Sequence, residues 1–185
     1  MKNNYYHTTH GRLPITNWVC AVLAIAGLCL CMGWAANRIY NGVLFNQNCG
    51  GYLKRAADAN VINMAKVELN RALVYIEAKG LTNGYTSVFF RTPDEDLEFW
   101  YQNIKSALTE LNTLGEDTST LEKSNALIKL RETLLDHRDG ADSLTVPAGI
   151  SIFPNNVFYA IVGYIPLFLM IPGICRLIWK GLITS

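Results

Sequence analysis

The chain has 185 residues and a formal net charge of +1, with half of its residues hydrophobic and 17% charged. This length allows about one domain, and the scattered basic residues exclude a nucleic-acid-binding protein, which needs a basic patch. All fifteen acidic residues lie between Asp58 and Asp142, so the first 57 and last 43 residues carry no carboxylate side chain. The apolar content is therefore concentrated at the two ends.

Each end contains one uncharged apolar run, Trp18–Ala36 and Val157–Cys175, of 19 residues. As helices, both runs are long enough to cross ~30 Å of hydrocarbon. We therefore predict transmembrane helices over 17–40 and 156–178. The first is expected to be a retained signal anchor, because its apolar core is longer than that of a cleaved signal peptide. The alternative is a pair of buried core helices in a soluble protein.

The residues that flank the two runs are of the types enriched at membrane interfaces. Prolines inside the second run are tolerated in a membrane span and predict a kink. The predicted membrane-interface residues are Trp18, Trp34, Arg38, Tyr159, Arg176, Trp179 and Lys180.

The charges beside the spans predict their orientation. The tails at 1–16 and 179–185 carry basic residues and no acidic ones, which predicts that both tails are cytoplasmic. The central region, 41–155, is then extracytoplasmic. We expect a bacterial inner-membrane protein with a periplasmic central domain, whose partners include the lipid bilayer.

The central region begins with a predicted helix over about 54–79. Its apolar positions recur at alternating spacings of three and four, which is typical of an amphipathic helix; they are Ile62, Ala65, Leu69, Ala72 and Ile76. Gly80 followed by Leu81 predicts a left-handed cap with an apolar residue that packs back. Two alternatives remain for its start: the helix continues from the first span, since 37–48 contains no proline, or it is separated from that span by a break at Gly50-Gly51.

A second helix is predicted over 93–114. Thr92 is the expected capping residue, followed by Pro93 at the first helical position and Glu95 three residues after the cap. The apolar face of this helix comprises Leu97, Tyr101, Ile104, Leu108 and Leu111, and Phe99 and Trp100 widen it.

A third helix is predicted over 119–137, with a capping box from Ser119 to Glu122 and an end at Gly140. An extended strap over 144–154, which contains two prolines, leads back to the second span. The predicted fold class is an all-α membrane protein, in which two transmembrane helices flank an extracytoplasmic helical hairpin or three-helix bundle.

The sequence contains no motif that identifies a catalytic, cofactor or metal site. Cys29 and Cys31 lie inside a span, and His7 and His10 supply only two ligands. The acidic cluster Asp94–Glu98 complements a helix dipole. His137 has no serine in a nucleophile motif to act with. We therefore predict no enzyme activity, no cofactor and no metal.

Cys49 is the only cysteine of the central region, so no disulfide can form within it, and we expect a buried thiol there.

The remaining hypothesis is a non-catalytic accessory or scaffold subunit of a larger membrane complex. Its expected partners are other membrane-protein subunits, in a hetero- or homo-oligomer. The central region has more aromatic residues than a thin three-helix core needs, and such residues are enriched at interfaces. The candidate partner-binding residues are Phe89, Phe90, Phe99, Trp100 and Tyr101. The alternative function is an extracytoplasmic ligand sensor that acts through a separate signalling partner.

Overall fold

The computed structural model describes the backbone of residues 15–138 and 140–184, and the side chains of 18–137, 140–176 and 178. The described chain is mostly helical. It divides into two compact units: unit 1 contains residues up to Ala35 and from Ile161 onward, and unit 2 contains Ala36–Ala160.

The first long helix does not break at Gly50-Gly51, so the structure contains the continuous helix of the two alternatives. Helix α1 (Ile15–Phe45) continues through a π-helical turn (Asn46–Gly50) into α2 (Gly51–Ala57). The Gly51 amide donates to the Asn46 carbonyl oxygen five residues back. A Cβ at Gly50 or Gly51 would lie 2.9 Å from an Asn46 oxygen. Because they have no side chain, the two glycines permit this wide π-helical turn and do not end the helix.

The single helix predicted over 54–79 is divided in two. The chain reverses at 58–61 and then forms α3 (Ile62–Ala78), which packs against α2. Asp58 and Asn60, both turn-forming residue types, lie in this reversal. The predicted end of α3 is confirmed: Gly80 has φ +66°, and the Leu81 amide donates to the Ile76 carbonyl over 2.9 Å.

The second predicted helix starts later than expected and has a different cap. Pro93–Glu95 form a 3-10 turn, and α4 runs over Leu97–Thr113. The Asp96 carboxylate, not Thr92, accepts the amides of Glu98 and Phe99. Asp96 is extended and bridges to Tyr85, so the helix begins only after this pairing.

The third predicted helix ends three residues early. Helix α5 (Thr120–Leu134) begins at the predicted capping box, in which Ser119 and Glu122 bond reciprocally. Residues 135–137, predicted as helix, belong instead to β1 (Leu135–Arg138), which pairs antiparallel with β2 (Ala141–Leu144). Gly140, with φ +78°, lies in the hairpin turn and does not cap α5.

The predicted strap is only partly extended. Residue 144 belongs to β2, and Ile150–Ile152 form a 3-10 turn whose isoleucines 150 and 152 are buried. Helix α6 then runs over Asn156–Thr184 and continues through Pro166 and Pro172. The buried Asn156 amide group donates to the Gly149 carbonyl oxygen over 2.9 Å and joins the strap to the start of α6.

The core of unit 2 lies between α2, α3, α4 and α5. The predicted faces are buried: Ala65, Leu69, Ala72 and Ile76 have no exposed surface, and Leu97, Ile104 and Leu111 have at most 1%. One carboxylate is also buried. Glu68 accepts from Arg55 (2.8 Å) and Arg71 (3.2 Å), which joins α2 to α3 across the edge of the core.

A polar cluster holds α1 and α6 together where both helices belong to unit 2. The Tyr159 hydroxyl donates to Asn37 Oδ1 over 2.7 Å, and Asn41 Nδ2 donates to the same oxygen over 2.6 Å. We call the part of unit 2 formed by residues 36–41 and 156–160 the exit end, because the chain enters and leaves unit 2 there.

Unit 1 contains the apolar parts of α1 and α6, which contact each other through small residues. A Cβ at Gly27 would lie 2.9 Å from the Pro166 carbonyl oxygen, and one at Gly173 would lie 2.7 Å from Ala24 Cβ. The stretches that begin at Trp18 and at Asn156 are each long and apolar enough to cross a membrane, and within an apolar segment of 18 residues in each, only 6% and 11%, respectively, is buried.

Candidate binding cleft and exposed aromatic residues

The structure separates the five predicted partner-binding aromatic residues into three places. Trp100 and Tyr101 are each 7% exposed and belong to the core, so neither ring projects from the surface. Phe99 is 65% exposed on the outer face of α4. Phe89 and Phe90 are 77% and 83% exposed in the loop before α4. Adjacent positions on a helix point in different directions, which explains the division of 99–101.

The two buried rings hold α4 in place through their polar atoms. Trp100 Nε1 donates to the Thr145 carbonyl oxygen over 2.9 Å, and the Tyr101 hydroxyl donates to Glu77 Oε1 over 2.7 Å. These bonds satisfy the polar groups that buried Trp and Tyr carry. They connect α4 to the strap on one side and to α3 on the other.

Phe99 lies at a cleft of about 470 Å³ between the first half of α4 and the strap after β2. Trp100 and Ile104 line it from the helix, and Val146 and Pro147 line it from the strap. A volume in this range suits a drug-sized ligand or a few side chains of a partner. The Trp100–Thr145 bond fixes the two walls relative to each other.

The cleft is negatively charged. Asp94, Asp96 and Asp136 line it, and among the residues whose side chains the structure describes, no Lys, Arg or His lines it. Asp96 Oδ1 is occupied by the two capping amides, whereas the Asp94 side chain is exposed at the rim. An exposed aromatic ring beside carboxylates favours a ligand that is both apolar and cationic.

Phe89 and Phe90 do not line the cleft, although Pro93 and Asp94, at the end of the same loop, do. The loop is closed at its base by the Tyr85–Asp96 bridge and by the Thr86 amide, which donates to the Glu95 carbonyl over 3.1 Å. Arg91 lies over the Tyr85 ring at 5.2 Å from its centroid. The aromatic tip is therefore presented by a defined hairpin-like loop.

The polar residues considered for catalysis do not form a site together. Asp94 and Glu95 lie in the 3-10 turn, where Glu95 accepts the Thr92 hydroxyl over 2.7 Å. His137 is in β1, and its Nδ1 lies 2.7 Å from Asp142 Oδ1. That hydrogen bond and the Arg131 guanidinium hold the pKa of Asp142 below its ordinary value. The described residues contain no group of His, Cys, Asp or Glu side chains suited to a metal ion.

Cys49 is fully buried. The expected buried thiol is thus present, and a disulfide between two chains at this residue would require unit 2 to open. Cys20, Cys29, Cys31 and Cys175 are also free thiols.

The predicted interface residues fall in several environments. Trp18 is 62% exposed, whereas the Trp34 ring packs 3.0 Å from a Cβ position at Gly163. Tyr159 belongs to the polar cluster at the exit end. Arg38 is exposed and Arg176 is half-buried. The side chains of Trp179 and Lys180, and both His7 and His10, lie outside the described residues.

The sequence analysis did not predict the cleft because one of its walls depends on the β-hairpin. The sequence signal of this hairpin is the dipeptide Asp139-Gly140, since Asp-Gly strongly favours a two-residue hairpin turn. When Gly140 is instead interpreted as a helix end, neither of the two strands is predicted, and neither is the return of the strap to α4.

Comparisons with protein-family models, with curated protein sequences and with solved structures give no match to this chain. The function is therefore inferred from the geometry alone.

Proposed function

We propose that this protein crosses a membrane twice, through α1 and α6, and acts as a non-catalytic accessory subunit that binds another protein at the Phe99 cleft. The partner is expected to be a further subunit of a membrane complex or a second copy of this chain. The observation that carries the proposal is the 65% exposure of Phe99 at an acidic cleft.

The exposure of the two long helices supports the membrane assignment. Large apolar side chains such as Ile25 (62% exposed) and Phe168 (69%) point outward. A core helix of a soluble protein buries such residues, and exposing them to water costs about 1.5–3 kcal/mol each. A bilayer removes this cost. The second helix also follows a folded unit, unlike a cleavable signal sequence.

Charge supports the orientation that we propose. Lys2 and Arg12 precede the first span, and Arg176 and Lys180 follow the apolar run of the second, without acidic residues near them. Both tails are then cytoplasmic, and unit 2 lies on the opposite side. In a bacterial cell, unit 2 would be periplasmic.

The chemistry of the cleft defines the partner segment. The aspartates that line the cleft, Asp94, Asp96 and Asp136, repel acidic segments and attract Lys or Arg. Phe99 and Pro147 offer apolar contact beside them. We therefore expect a partner segment that combines a basic side chain with apolar ones and buries Phe99 as an anchor residue.

A photo-crosslinking amino acid in place of Phe99 tests this in native membranes. We expect a crosslinked product of higher mass, and the same residue in place of Leu121 is the matched control, because Leu121 is 71% exposed but does not line the cleft. The variant Phe99→Asp should lose co-purification of the partner, whereas Leu121→Asp should retain it. Migration of the gently extracted protein as a lone monomer would refute the proposal.

The size of the cleft supports a second candidate function, a ligand sensor with a separate signalling partner. Its volume of about 470 Å³ lies within the range of small-molecule pockets. A cationic, apolar small molecule would raise the melting temperature of the full-length protein, and Phe99→Asp would abolish the shift. A ligand that stabilises both variants equally does not use this cleft.

A further inference from the structure

The loop over Tyr85–Asp96 lies near the exit end of unit 2. The Phe45 and Tyr75 rings meet edge to face, with centroids 6.3 Å apart, so the last turn of α3 lies beside the end of α1. Phe45 is nine residues from Ala36, which is about 14 Å along the helix. At the base of the loop, a Cβ at Gly84 would lie 3.1 Å from Phe153, which shortly precedes α6.

The opposite end of unit 2 is marked by other contacts. Lys66, in the first turn of α3, donates to the Leu114 carbonyl oxygen after α4 over 3.4 Å. Leu121, in the first turn of α5, follows shortly after this point in the chain. The loop over Tyr85–Asp96 and Leu121 therefore lie toward opposite ends of α3 and α4.

The two phenylalanines lie in the middle of this loop. The tip, 87–94, contains eight residues between its paired base positions, and its last residues enter the 3-10 turn Pro93–Glu95 that precedes α4. Phe89 and Phe90 are therefore held in a short, compact loop whose base lies near the exit end.

We propose that Phe89 and Phe90 are inserted into the membrane interface on the unit 2 side, with Arg91 at the level of the lipid phosphates. This inference rests on the proposed membrane anchoring. Two adjacent phenylalanines, 77% and 83% exposed, find an apolar environment there, and interfaces favour aromatic and basic side chains together. The loop is thus a third membrane contact besides the two spans.

Spin labels measure this in the full-length protein. The background carries Ala at Cys20, Cys29, Cys31 and Cys175 and keeps the buried Cys49, which the label does not reach. Single cysteines then replace Phe89, Phe90, Leu121 or Ile25, all of them exposed positions. The protein is placed in vesicles of phosphatidylcholine and phosphatidylglycerol, and collisions with oxygen and with a water-soluble nickel chelate are compared.

We expect the oxygen-to-nickel ratio at 89 and 90 to exceed that at Leu121→Cys several-fold and to stay below that at Ile25→Cys. An oxygen-to-nickel ratio at 89 and 90 equal to that at 121 would overturn the inference. It is the result expected if this loop binds a protein partner and does not enter the membrane interface. A low ratio at Ile25→Cys as well would refute the membrane anchoring itself, which makes the two failures distinguishable.

Discussion

The two units of this chain use the same apolar residue types in opposite ways. In unit 1, large side chains such as Ile25 and Phe168 are more than 60% exposed, and the helices meet through Gly27 and Gly173. In unit 2, side chains such as Leu69 and Ile76 are instead buried in a core between helices. The proposed membrane location of unit 1 accounts for this difference, because lipid offers no drive to bury large apolar groups and helices there associate through close packing of small residues.

The largest expected effect is on the core of unit 2. Leu69→Ala removes a side chain without exposed surface and should lower the free energy of unfolding by about 2–5 kcal/mol. Labelling of Cys49 by a maleimide at increasing urea concentrations reports the opening of the core in detergent micelles.

The matched control is Ile25→Ala in unit 1, which should leave this urea midpoint unchanged because Ile25 is 62% exposed. Equal losses in both variants would mean that the two units do not differ in the way described.

The next effect concerns the small-residue contact of unit 1. A Cβ at Gly27 would lie 2.7 Å from Met170 Cγ and 2.9 Å from a backbone oxygen, so Gly27→Ala should weaken the contact of α1 with α6 by about 1–3 kcal/mol. Energy transfer between labels at Trp18→Cys and Ile178→Cys during an SDS titration measures this.

Gly33→Ala is the control for this substitution, because nothing lies within 4 Å of a Cβ there. It should be neutral or slightly stabilising in a helix. A loss at Gly33 as large as that at Gly27 would refute the contact.

A smaller effect is expected at the exit end. Tyr159→Phe removes the hydroxyl that donates to Asn37 and should cost about 0.5–1.5 kcal/mol, measured as the urea midpoint of Cys49 labelling. Tyr40→Phe is the control, since Tyr40 is 63% exposed on the same stretch of α1. No difference between the two variants would show that the polar cluster does not stabilise unit 2.

The smallest effect is the pH dependence of the hairpin. The pKa of Asp142 is held low by the hydrogen bond from His137 and by Arg131. Because the folded pKa is depressed, this stabilisation is present above the ordinary Asp pKa of about 3.9 and is lost as the pH falls through the lower folded pKa. Carboxyl NMR should show the pKa of Asp142 rising toward its ordinary value in His137→Ala. An unchanged pKa would contradict the pairing.

The sequence predicted best what depends on local patterns. The apolar face of α3, the capping box at Ser119 and the left-handed Gly80 follow from spacing and residue type, and the structure contains all three. The sequence does not decide the course of the chain at Gly50-Gly51, because glycine occurs both at helix breaks and in π-helical turns. The Asn46 oxygens close to both glycines show that the turn is π-helical here.

The site was harder to predict because it is formed by residues distant in the chain. Phe99, Trp100 and Tyr101 are adjacent, yet only Phe99 is exposed, since the orientation of α4 depends on bonds to Thr145 and Glu77. The start of α4 likewise depends on the pairing of Asp96 with Tyr85. No local pattern contains these long-range contacts.

The membrane topology is tested most directly by labelling single cysteines with a membrane-impermeant maleimide in intact bacterial spheroplasts. In the background that keeps only Cys49, Leu121→Cys should react from outside, whereas Asn4→Cys and Ser185→Cys should react only after permeabilisation. Reaction of either tail in intact spheroplasts, or protection of residue 121, would contradict a two-span protein with unit 2 on the outer side.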